Sequence, residues 1–411
     1  MILISIVSRQ VMPQFLVWKY LKDTLVWKYL KDTLKKDIKK IVLLYSQGDH
    51  EEESKIPAER LKEFFNRIYE NKDFTELREI NHNNKSALDQ DFQKIIEDYC
   101  QNQAQAIINI TNGNKLMTLS AFQQAKNKVD ACYLERGNQF IHYQHKSDDF
   151  TSEPLDPKIC DDIDPLDIIR CHLVDGNLII NSDFEKIKPL EKLINKNINE
   201  LIGEYRYAKR IINNPKATSV KISNEIVKVF NEYIDKFKPP AILNIGDGLE
   251  YFTSLCLLKC GVKVIYKGLK LQMPRVIEGG WETDQEQDLI FIHNGKLWLV
   301  DCKNEVNHFD ILKKAINDQY VNYSFNNANS KFNNVFTKIN KALKNRERSL
   351  IRLDLFYAQN FGGLTAEVIC VRNPEIVENN EFLQYANQLN LIKIVKNDDN
   401  LFNNLKKLLK N

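Results

Sequence analysis

Two acidic residues and a lysine stand close together in EQDLIFIHNGKLWLVDCK, residues 286–303. Asn294-Gly295 lies between two apolar runs, and this dipeptide is the strongest short signal for a two-residue β-hairpin turn. Counting outward from that turn places Asp288 directly opposite Asp301, with Cβ atoms about 5 Å apart. Lys303 shares the face of Asp301 because side chains alternate along a strand.

These residue types suit metal-assisted chemistry on a phosphodiester. Two like charges opposed in an otherwise apolar hairpin destabilise it, and a divalent cation between them removes the repulsion. Hard oxygen ligands favour Mg²⁺ or Mn²⁺, which activate water, while Lys303 can orient that water or stabilise the developing anion. The structural alternative is a pair at a sheet end with one carboxylate protonated or solvated.

Glu250 is a further acidic candidate. It follows Gly246-Asp247-Gly248 in the first turn of a helix predicted from Leu249 to Cys260, which Gly261 caps. A glutamate at such a position can also simply complement the helix dipole. Gly-Asp-Gly lacks the third glycine of a dinucleotide-binding fingerprint.

The elements that must position these residues follow from periodicity and turn signals. Pro239-Pro240 marks a boundary, and the region beyond it carries strands predicted near 262–267, 288–293, 296–302, 352–357 and 366–371. The N-terminal region alternates strand and helix: strands MILISIV, 39–46 and 105–111, helices over 12–36, 57–71 and up to residue 127, and a hairpin of 129–135 with 139–144. This alternation predicts a largely parallel sheet, which binds ligands at the carboxyl ends of its strands.

A polar turn joins strand to helix in INITNGNKLMTLSAF, residues 108–122. Backbone N–H groups at such a helix N-terminus favour anions, so Thr111, Asn112, Asn114 and Lys115 are candidates to bind phosphates or adenine edges. The structural alternative is a loop with a solvated lysine.

A family resemblance sharpens the acidic set. Leu-Glu in a helix, then an acid, then Asp-x-Lys on the next strand resembles the PD-(D/E)XK nuclease core. GLEYF, GGWETDQEQDLIFI and LWLVDCK look like the nuclease half of CRISPR effectors that join a CARF domain to such a nuclease. The resemblance implies Glu250, Asp288 and Asp301 as metal ligands, Lys303 as the catalytic lysine and Glu286 as a further acid. Asp301 stands where that family has Glu, and both fit the motif.

The N-terminal turn is similar to the TGGTKxM signature of CARF domains, with Asn112 and Asn114 in place of Gly and Thr. MILISIVSRQVMP resembles their first strand and ligand loop. The resemblance implies a homodimer whose sheet ends form one pocket for a cyclic oligoadenylate, with cyclic tetra-adenylate expected. By position, the pocket residues are Ser8, Arg9, Gln10, Thr111, Asn112, Gly113, Asn114, Lys115 and Met117.

We therefore expect an α/β protein with three regions: a Rossmann-like CARF sensor over 1–147, a mainly helical connecting region over 148–239 whose first part, 148–165, is an acidic linker, and a restriction-endonuclease-like PD-(D/E)XK domain over 240–411. The expected function is a cyclic-oligoadenylate-activated, Mn²⁺- or Mg²⁺-dependent endonuclease of DNA and/or RNA in antiviral type III CRISPR defence. The alternative is a cyclic-oligoadenylate-binding regulator or ring nuclease with a non-catalytic C-terminal domain. A CARF-linked HEPN ribonuclease is disfavoured, because its R-x(4–6)-H motif, matched by Arg136 and His142, falls in a predicted hairpin.

Bulk properties limit the remaining classes. Net charge is only +3, so nucleic-acid contact must come from local patches, such as Lys259, Lys263, Lys267, Lys270 and Arg275, or the basic residues of 338–352. Eight cysteines without paired spacing indicate free thiols in a reducing cytoplasm, and no apolar run is long enough to span a membrane. The sequence VWKYLKDTL, duplicated at 17–25 and 26–34, suggests a lengthened helix.

Overall fold

The computed structural model describes residues 1–23, 38–46, 54–100, 106–135, 138–172, 184–188, 219–221, 242–271, 285–303, 354–355, 358, 361–363, 366–372, 374–379, 381–388, 392–398 and 400–410. The chain divides into two compact units. Unit 1 comprises Met1–Leu178 with His293–Lys296 and Asn360–Thr365, and unit 2 comprises Ile179–Ile292, Leu297–Gln359 and Ala366–Asn411.

Unit 1 is built on a seven-stranded sheet in the order β3-β2-β1-β4-β5-β6-β7. The strands are β1 (Ile2–Ile6), β2 (Lys40–Tyr45), β3 (Thr75–Glu79), β4 (Ala106–Asn109), β5 (Asp130–Glu135), β6 (Gln139–Gln144) and β7 (Asp149–Pro154). Pairing is parallel from β3 through β5, and β6 and β7 add antiparallel strands. The strand order reverses between β1 and β4, and the crevice at such a reversal is where open α/β sheets bind ligands.

Five α-helices are described in unit 1: α1 (Met12–Asp23), α2 (Lys55–Ile68), α3 (Lys85–Cys100), α4 (Lys115–Ala125) and α5 (Pro165–His172). A hydrophobic core forms where α3 and α4 cover the central strands, with Ile4, Phe92 and Ile108 fully buried. β2 reads KIVLLY with its four central residues buried, as expected for a strand covered on both faces.

The predicted alternation of strands and helices in the N-terminal region is confirmed, although β3 and α3 were not foreseen. The linker predicted for 148–165 is wrong. Asp149–Pro154 pairs antiparallel with β6 and continues the sheet, so unit 1 extends past residue 147. This edge strand, DFTSEP, is largely exposed, which its polar residues permit. A polar, proline-bearing edge strand resembles a linker in sequence.

Residues 17–23 of the first copy of the nine-residue repeat lie in α1, and its last two residues lie outside the described residues. Nine of the residues of α1 are buried, including Lys19 and Gln14. An amphipathic stripe is therefore absent from α1. The second copy, 26–34, lies outside the described residues.

Unit 2 contains a six-stranded sheet in the order β15-β14-β13-β12-β11-β8 and a two-stranded sheet of β10 and β9. The strands are β8 (Glu185–Ile187), β9 (Ser219–Lys221), β10 (Ile242–Asn244), β11 (Ile265–Leu271), β12 (Gln285–His293), β13 (Lys296–Lys303), β14 (Glu367–Arg372) and β15 (Ile392–Lys396). β13, β14 and β15 are parallel, whereas β11 pairs antiparallel with β12 and β8.

Four helices are described in unit 2: α6 (Ile245–Lys259), α7 (Pro374–Asn379), α8 (Glu381–Gln388) and α9 (Leu401–Lys410). The core joins side chains of α6, the sheet and α9. In α9 the buried residues Leu401, Phe402, Leu405 and Leu409 recur at helical spacing, which gives it one apolar face.

Three expectations for this unit need correction. The strand predicted at 352–357 is wrong, because Asp354 and Leu355 are helical. Helix α6 begins at Ile245, so Gly-Asp-Gly lies inside it and Glu250 is in its second turn. Within 148–239, the described residues include strands β8 and β9 in addition to helix α5, and most of the rest lies outside the described residues. Across the described residues, no helix has the length and apolarity that crossing a bilayer requires.

Candidate functional site

The acidic residues of unit 2 are positioned by the predicted hairpin. β12 ends at His293 and β13 begins at Lys296, and both turn residues have positive φ, 52° at Asn294 and 67° at Gly295. Positive φ at both central positions defines a type I′ turn, so the predicted hairpin is confirmed. The Asp288 carboxylate accepts a 2.6 Å hydrogen bond from the backbone N–H of Cys302, which brings Asp288 beside the neighbour of Asp301.

Asp288 is the acidic residue of this site whose pKa is shifted by burial and by its two acidic neighbours. Burial raises the pKa of its carboxyl well above the ordinary value, and the nearby charges of Glu250 and Asp301 raise it further. The sequence predicted a raised pKa from opposed carboxylates; the direction agrees, but burial is the larger cause and the Asp301 charge a smaller one. Three acidic residues close together, Asp288, Glu250 and Asp301, repel one another when ionised. A divalent cation bound among them would remove that repulsion.

Lys303 lies where the strand alternation put it, with its Nζ 2.6 Å from Oδ1 of Asp301. Burial alone lowers the pKa of Lys303, but the Asp301 carboxylate raises it above the ordinary value. Burial would raise the pKa of Asp301, and Arg372 and Lys303 together lower it. Lys303 is therefore a protonated donor and Asp301 an ionised carboxylate.

Glu250 forms an ion pair that the sequence did not indicate. Its Oε2 is 3.0 Å from Nζ of Lys267, and both side chains are nearly buried. The Lys267 ammonium also lies 4.7 Å from the centre of the Tyr251 ring. The prediction that Lys267 belongs to an exposed basic patch is therefore wrong, because its ammonium is nearly buried and forms an ion pair with Glu250. Glu286, the further acid, is exposed on β12.

Three residues near Asp301 were missed. Arg372 is fully buried, and its Nη2 pairs with Oδ2 of Asp301. Asp354 is also buried, and burial together with Asp301 raises its pKa to about 8. Cys370 is the register partner of Asp301 on β14. The available signal was a pair of charged residues within a short, otherwise apolar run, as in EVICVR and IRLDLF.

Ligand atoms of Asp301, Asp354 and Cys370 lie within 4.8 Å of one another, and within the described ranges this is the group that meets that spacing. In the set predicted from sequence, burial and the charges of Glu250 and Asp301 raise the pKa of Asp288. The ligand atoms of these three residues do not meet the 4.8 Å spacing. Asp301 is common to both sets.

In unit 1 the first predicted ligand loop is braced by an internal hydrogen bond and is joined to the second loop by another. Ser8 Oγ accepts from the backbone N–H of Gln10 at 3.1 Å, and the Asn112 side chain donates to the Gln10 carbonyl at 2.9 Å. These loops follow β1 and β4, which are adjacent parallel strands. Nε of Arg9 is buried without a hydrogen-bond partner among the described residues, so this guanidinium has unused donor capacity.

The loop after β4 leads into α4 through a capped turn. Asn114 is the N-cap, and its side-chain oxygen accepts from the N–H of Met117 at 2.9 Å. Gly113 has φ +99°, and a Cβ there would lie 2.8 Å from Cγ2 of Ile6, so the turn requires glycine. Lys115 is exposed at the helix start, whereas Met117 packs into the core.

Two buried polar residues support this turn and were missed. Asn109 donates to Oγ of Ser5 at 3.0 Å and accepts from the N–H and hydroxyl of Thr111 at 3.0 and 2.6 Å. Thr111 Oγ1 in turn accepts from the N–H of Leu134. These bonds fix the strand ends of β1, β4 and β5 together. The sequence signal was one polar residue in each apolar strand, ILISI and AIIN.

The HEPN alternative, which rested on Arg136 and His142, is wrong for this pair. His142 lies in strand β6, buried beside Asp130, whereas that chemistry needs its histidine on a helix. Arg136 lies outside the described residues.

Residues 2–159 match the family model of the Card1 CARF domain. A comparison with curated protein sequences gave no match.

Three solved structures share the fold at low sequence identity. VC1899 from Vibrio cholerae is 14% identical, with a TM-score of 0.56 over 100% of this chain and 98% of its own. Can2 from Sulfobacillus thermosulfidooxidans, in complex with cyclic tetra-adenylate, is 12% identical, with a TM-score of 0.51 over 99% and 96%. A type III CRISPR defence DNA nuclease activated by cyclic oligoadenylate is 16% identical, with a TM-score of 0.52 over 91% of this chain and 45% of its own.

Proposed function

We propose that this chain, whose residues 2–159 match the family model of the Card1 CARF domain, is a nuclease switched on by a cyclic oligoadenylate. The observation that carries the nuclease assignment is the partly buried Asp288 carboxyl, which accepts from the N–H of Cys302 and whose pKa is raised by burial and by Glu250 and Asp301, with Lys303 bound to Asp301. Buried acids that repel one another beside a protonated lysine are typical of a site that binds a cation and a phosphodiester.

The sensor ligand is expected at the ends of β1 and β4. Exposed Lys115 and the Arg9 guanidinium, whose Nε has no partner within the part of the chain that the structure describes, would bind phosphates. The N-terminus of α4 adds its partial positive charge. Asn114 and Met117 act as cap and core support, because their atoms face the helix and the protein interior. Can2 was solved with cyclic tetra-adenylate, which makes that ring the first ligand to test. A homodimer would let two such loop pairs enclose one ring.

In unit 2 the residues divide the work of hydrolysis. Mn²⁺ or Mg²⁺ would be held by Asp301, which belongs both to the closely spaced group and to the set predicted from sequence, together with Asp288 and Glu250. The bound ion would act as a Lewis acid and activate a water. Protonated Lys303 would donate a hydrogen bond to a phosphodiester oxygen and stabilise the negative charge that develops there. Asp301 holds Lys303 in that position through the 2.6 Å contact. Lys267 keeps Glu250 in place while its ammonium rests on Tyr251.

The proposed substrate is a nucleic acid, cut as DNA and/or RNA in CRISPR defence. The structurally similar DNA nuclease activated by cyclic oligoadenylate makes DNA the first polymer to test. The net charge of +3 indicates that substrate contact is local and salt-sensitive. We assign the sensor to the N-terminal region through β7 and the nuclease to 240–411.

The deciding experiment incubates purified protein and Mn²⁺ with labelled single-stranded DNA, single-stranded RNA or plasmid, with and without cyclic tetra-adenylate. Lys303→Ala is the test variant. Lys393→Ala is the matched control, because it removes a lysine that pairs with Glu367 at 3.8 Å elsewhere in the same sheet. Cleavage that needs both cyclic tetra-adenylate and Lys303 supports the proposal. Ligand binding or ligand hydrolysis without cleavage of any polymer would instead favour the alternative, a regulator or ring nuclease.

A further inference from the structure

Arg372 is a charged side chain with no exposed surface. Removing a guanidinium from water costs several kcal/mol unless hydrogen bonds and an opposite charge compensate for it. Arg372 stands at the end of β14, where its register partner on β13 is Lys303. Two cations side by side repel, so both depend on a shared anion.

Asp301 is that anion. Nη1 of Arg372 donates to the backbone carbonyl of Asp301 at 2.8 Å, and Nη2 pairs with its Oδ2. Nη1 also lies 3.2 Å from the carbonyl of Val371. Lys303 takes the other carboxylate oxygen, Oδ1, at 2.6 Å. The two oxygens of Asp301 are therefore divided between two cations, and its side chain is fixed relative to its own backbone.

We infer that Arg372 is a positioning residue of the nuclease site, which fixes Asp301 beside Lys303 at the expense of cation affinity. The planar guanidinium can contact a carbonyl and a carboxylate together, which a lysine ammonium cannot do with the same geometry. Its permanent positive charge also repels any divalent ion that approaches Asp301. This inference rests on the proposed nuclease function. It adds a residue that belongs neither to the acidic set nor to the catalytic lysine.

The test compares wild type, Arg372→Lys, Arg372→Ala and Lys396→Met. Lys396 is the register partner of Arg372 on β15 and pairs with Glu378 at 2.9 Å, so Lys396→Met removes one charge from the same sheet without touching Asp301. Each protein is measured for Mn²⁺ affinity by calorimetry, thermal unfolding with EDTA, and kcat and KM for DNA cleavage. Arg372→Ala is measured again in millimolar guanidinium, which can occupy the space left by the side chain.

Positioning predicts a split between binding and turnover. Arg372→Ala should bind Mn²⁺ more tightly than wild type and yet lose at least about tenfold in kcat, because small displacements of catalytic groups are costly. KM for DNA should change little. Arg372→Lys should keep the wild-type Mn²⁺ affinity and still lose turnover. Guanidinium should restore part of the kcat of Arg372→Ala and leave Lys396→Met unchanged.

Three results would overturn the inference: full kcat in a folded Arg372→Ala, weaker Mn²⁺ binding in that variant, or no rescue by guanidinium. If Arg372→Ala does not fold, Arg372→Lys decides alone, and wild-type turnover in it refutes the inference. If the wild type cleaves no nucleic acid, the proposed function fails separately. Arg372 is then judged by Mn²⁺ affinity, which must still tighten in Arg372→Ala and stay constant in Lys396→Met.

Discussion

Replacing Asp354 with asparagine should stabilise unit 2 at alkaline pH and leave it unchanged in acid. Burial, and then the Asp301 charge, raises the pKa of Asp354 to about 8. Since the folded pKa lies above the unfolded one, the proton favours the fold. Its contribution is complete below the unfolded pKa of about 4 and is lost as the pH rises through about 8.

The size of this effect follows from the two pKa values. A difference of about four units at 1.36 kcal/mol each gives an upper limit of about 5 kcal/mol. Relaxation around a buried carboxylate reduces it, so we expect about 2–3 kcal/mol between pH 4.5 and pH 8. At roughly 2–4 °C per kcal/mol for a domain of this size, Asp354→Asn should melt about 4–12 °C above wild type at pH 8. Asparagine preserves the shape and can donate to Asp301.

The assay is thermal unfolding followed by circular dichroism, in EDTA, at pH 4.5 and pH 8. Asp398→Asn serves as the matched control. Asp398 accepts from the N–H of Asn400 near the start of α9, a role that asparagine can fill. The control should melt like wild type at both pH values. An Asp354→Asn variant with the same offset from wild type at both pH values would refute the argument, because a buried acid must give a pH-dependent offset.

Three further predictions address the sites directly. Lys115→Ala should weaken binding of cyclic tetra-adenylate by about 1.5–3 kcal/mol through loss of a charge-assisted bond, measured by calorimetry beside Lys128→Ala; equal affinity in both variants would make Lys115 an ordinary surface lysine. Asp288→Asn should melt no lower than wild type without metal, because it removes a buried acid with a raised pKa, and should lose the stabilisation by Mn²⁺; a Mn²⁺ shift equal to that of wild type would move the ion elsewhere. Asp301→Ala should abolish cleavage in a gel assay while ligand binding persists, and an active variant would exclude Asp301 from the chemistry.

Local sequence signals predicted the hairpin and its acids well. The turn Asn294-Gly295 sets the register by itself, because two positive φ angles allow few alternatives. Once the register is known, alternation brings Lys303 to Asp301. Gly113 was singled out only by the family resemblance, and its physical reason comes from the structure: a Cβ there would lie 2.8 Å from Cγ2 of Ile6.

Contacts between segments distant in sequence were not predictable in the same way. Arg372 reaches Asp301 only because β14 pairs with β13 in one register, and a shift of one residue would turn Arg372 to the other face. The bond between Asn109 and Ser5 likewise depends on the parallel pairing of β4 with β1. Edge strand β7 was missed because an exposed strand carries no apolar pattern.

The most direct test of the account measures cleavage of labelled DNA and RNA by wild type and Lys303→Ala in Mn²⁺, with and without cyclic tetra-adenylate. We predict that wild type cuts at least one of these polymers when the ring is present and is nearly inactive without it, and that Lys303→Ala binds the ring but does not cut. Cleavage that ignores the ring would contradict the switch, and cleavage that persists in Lys303→Ala would contradict the site.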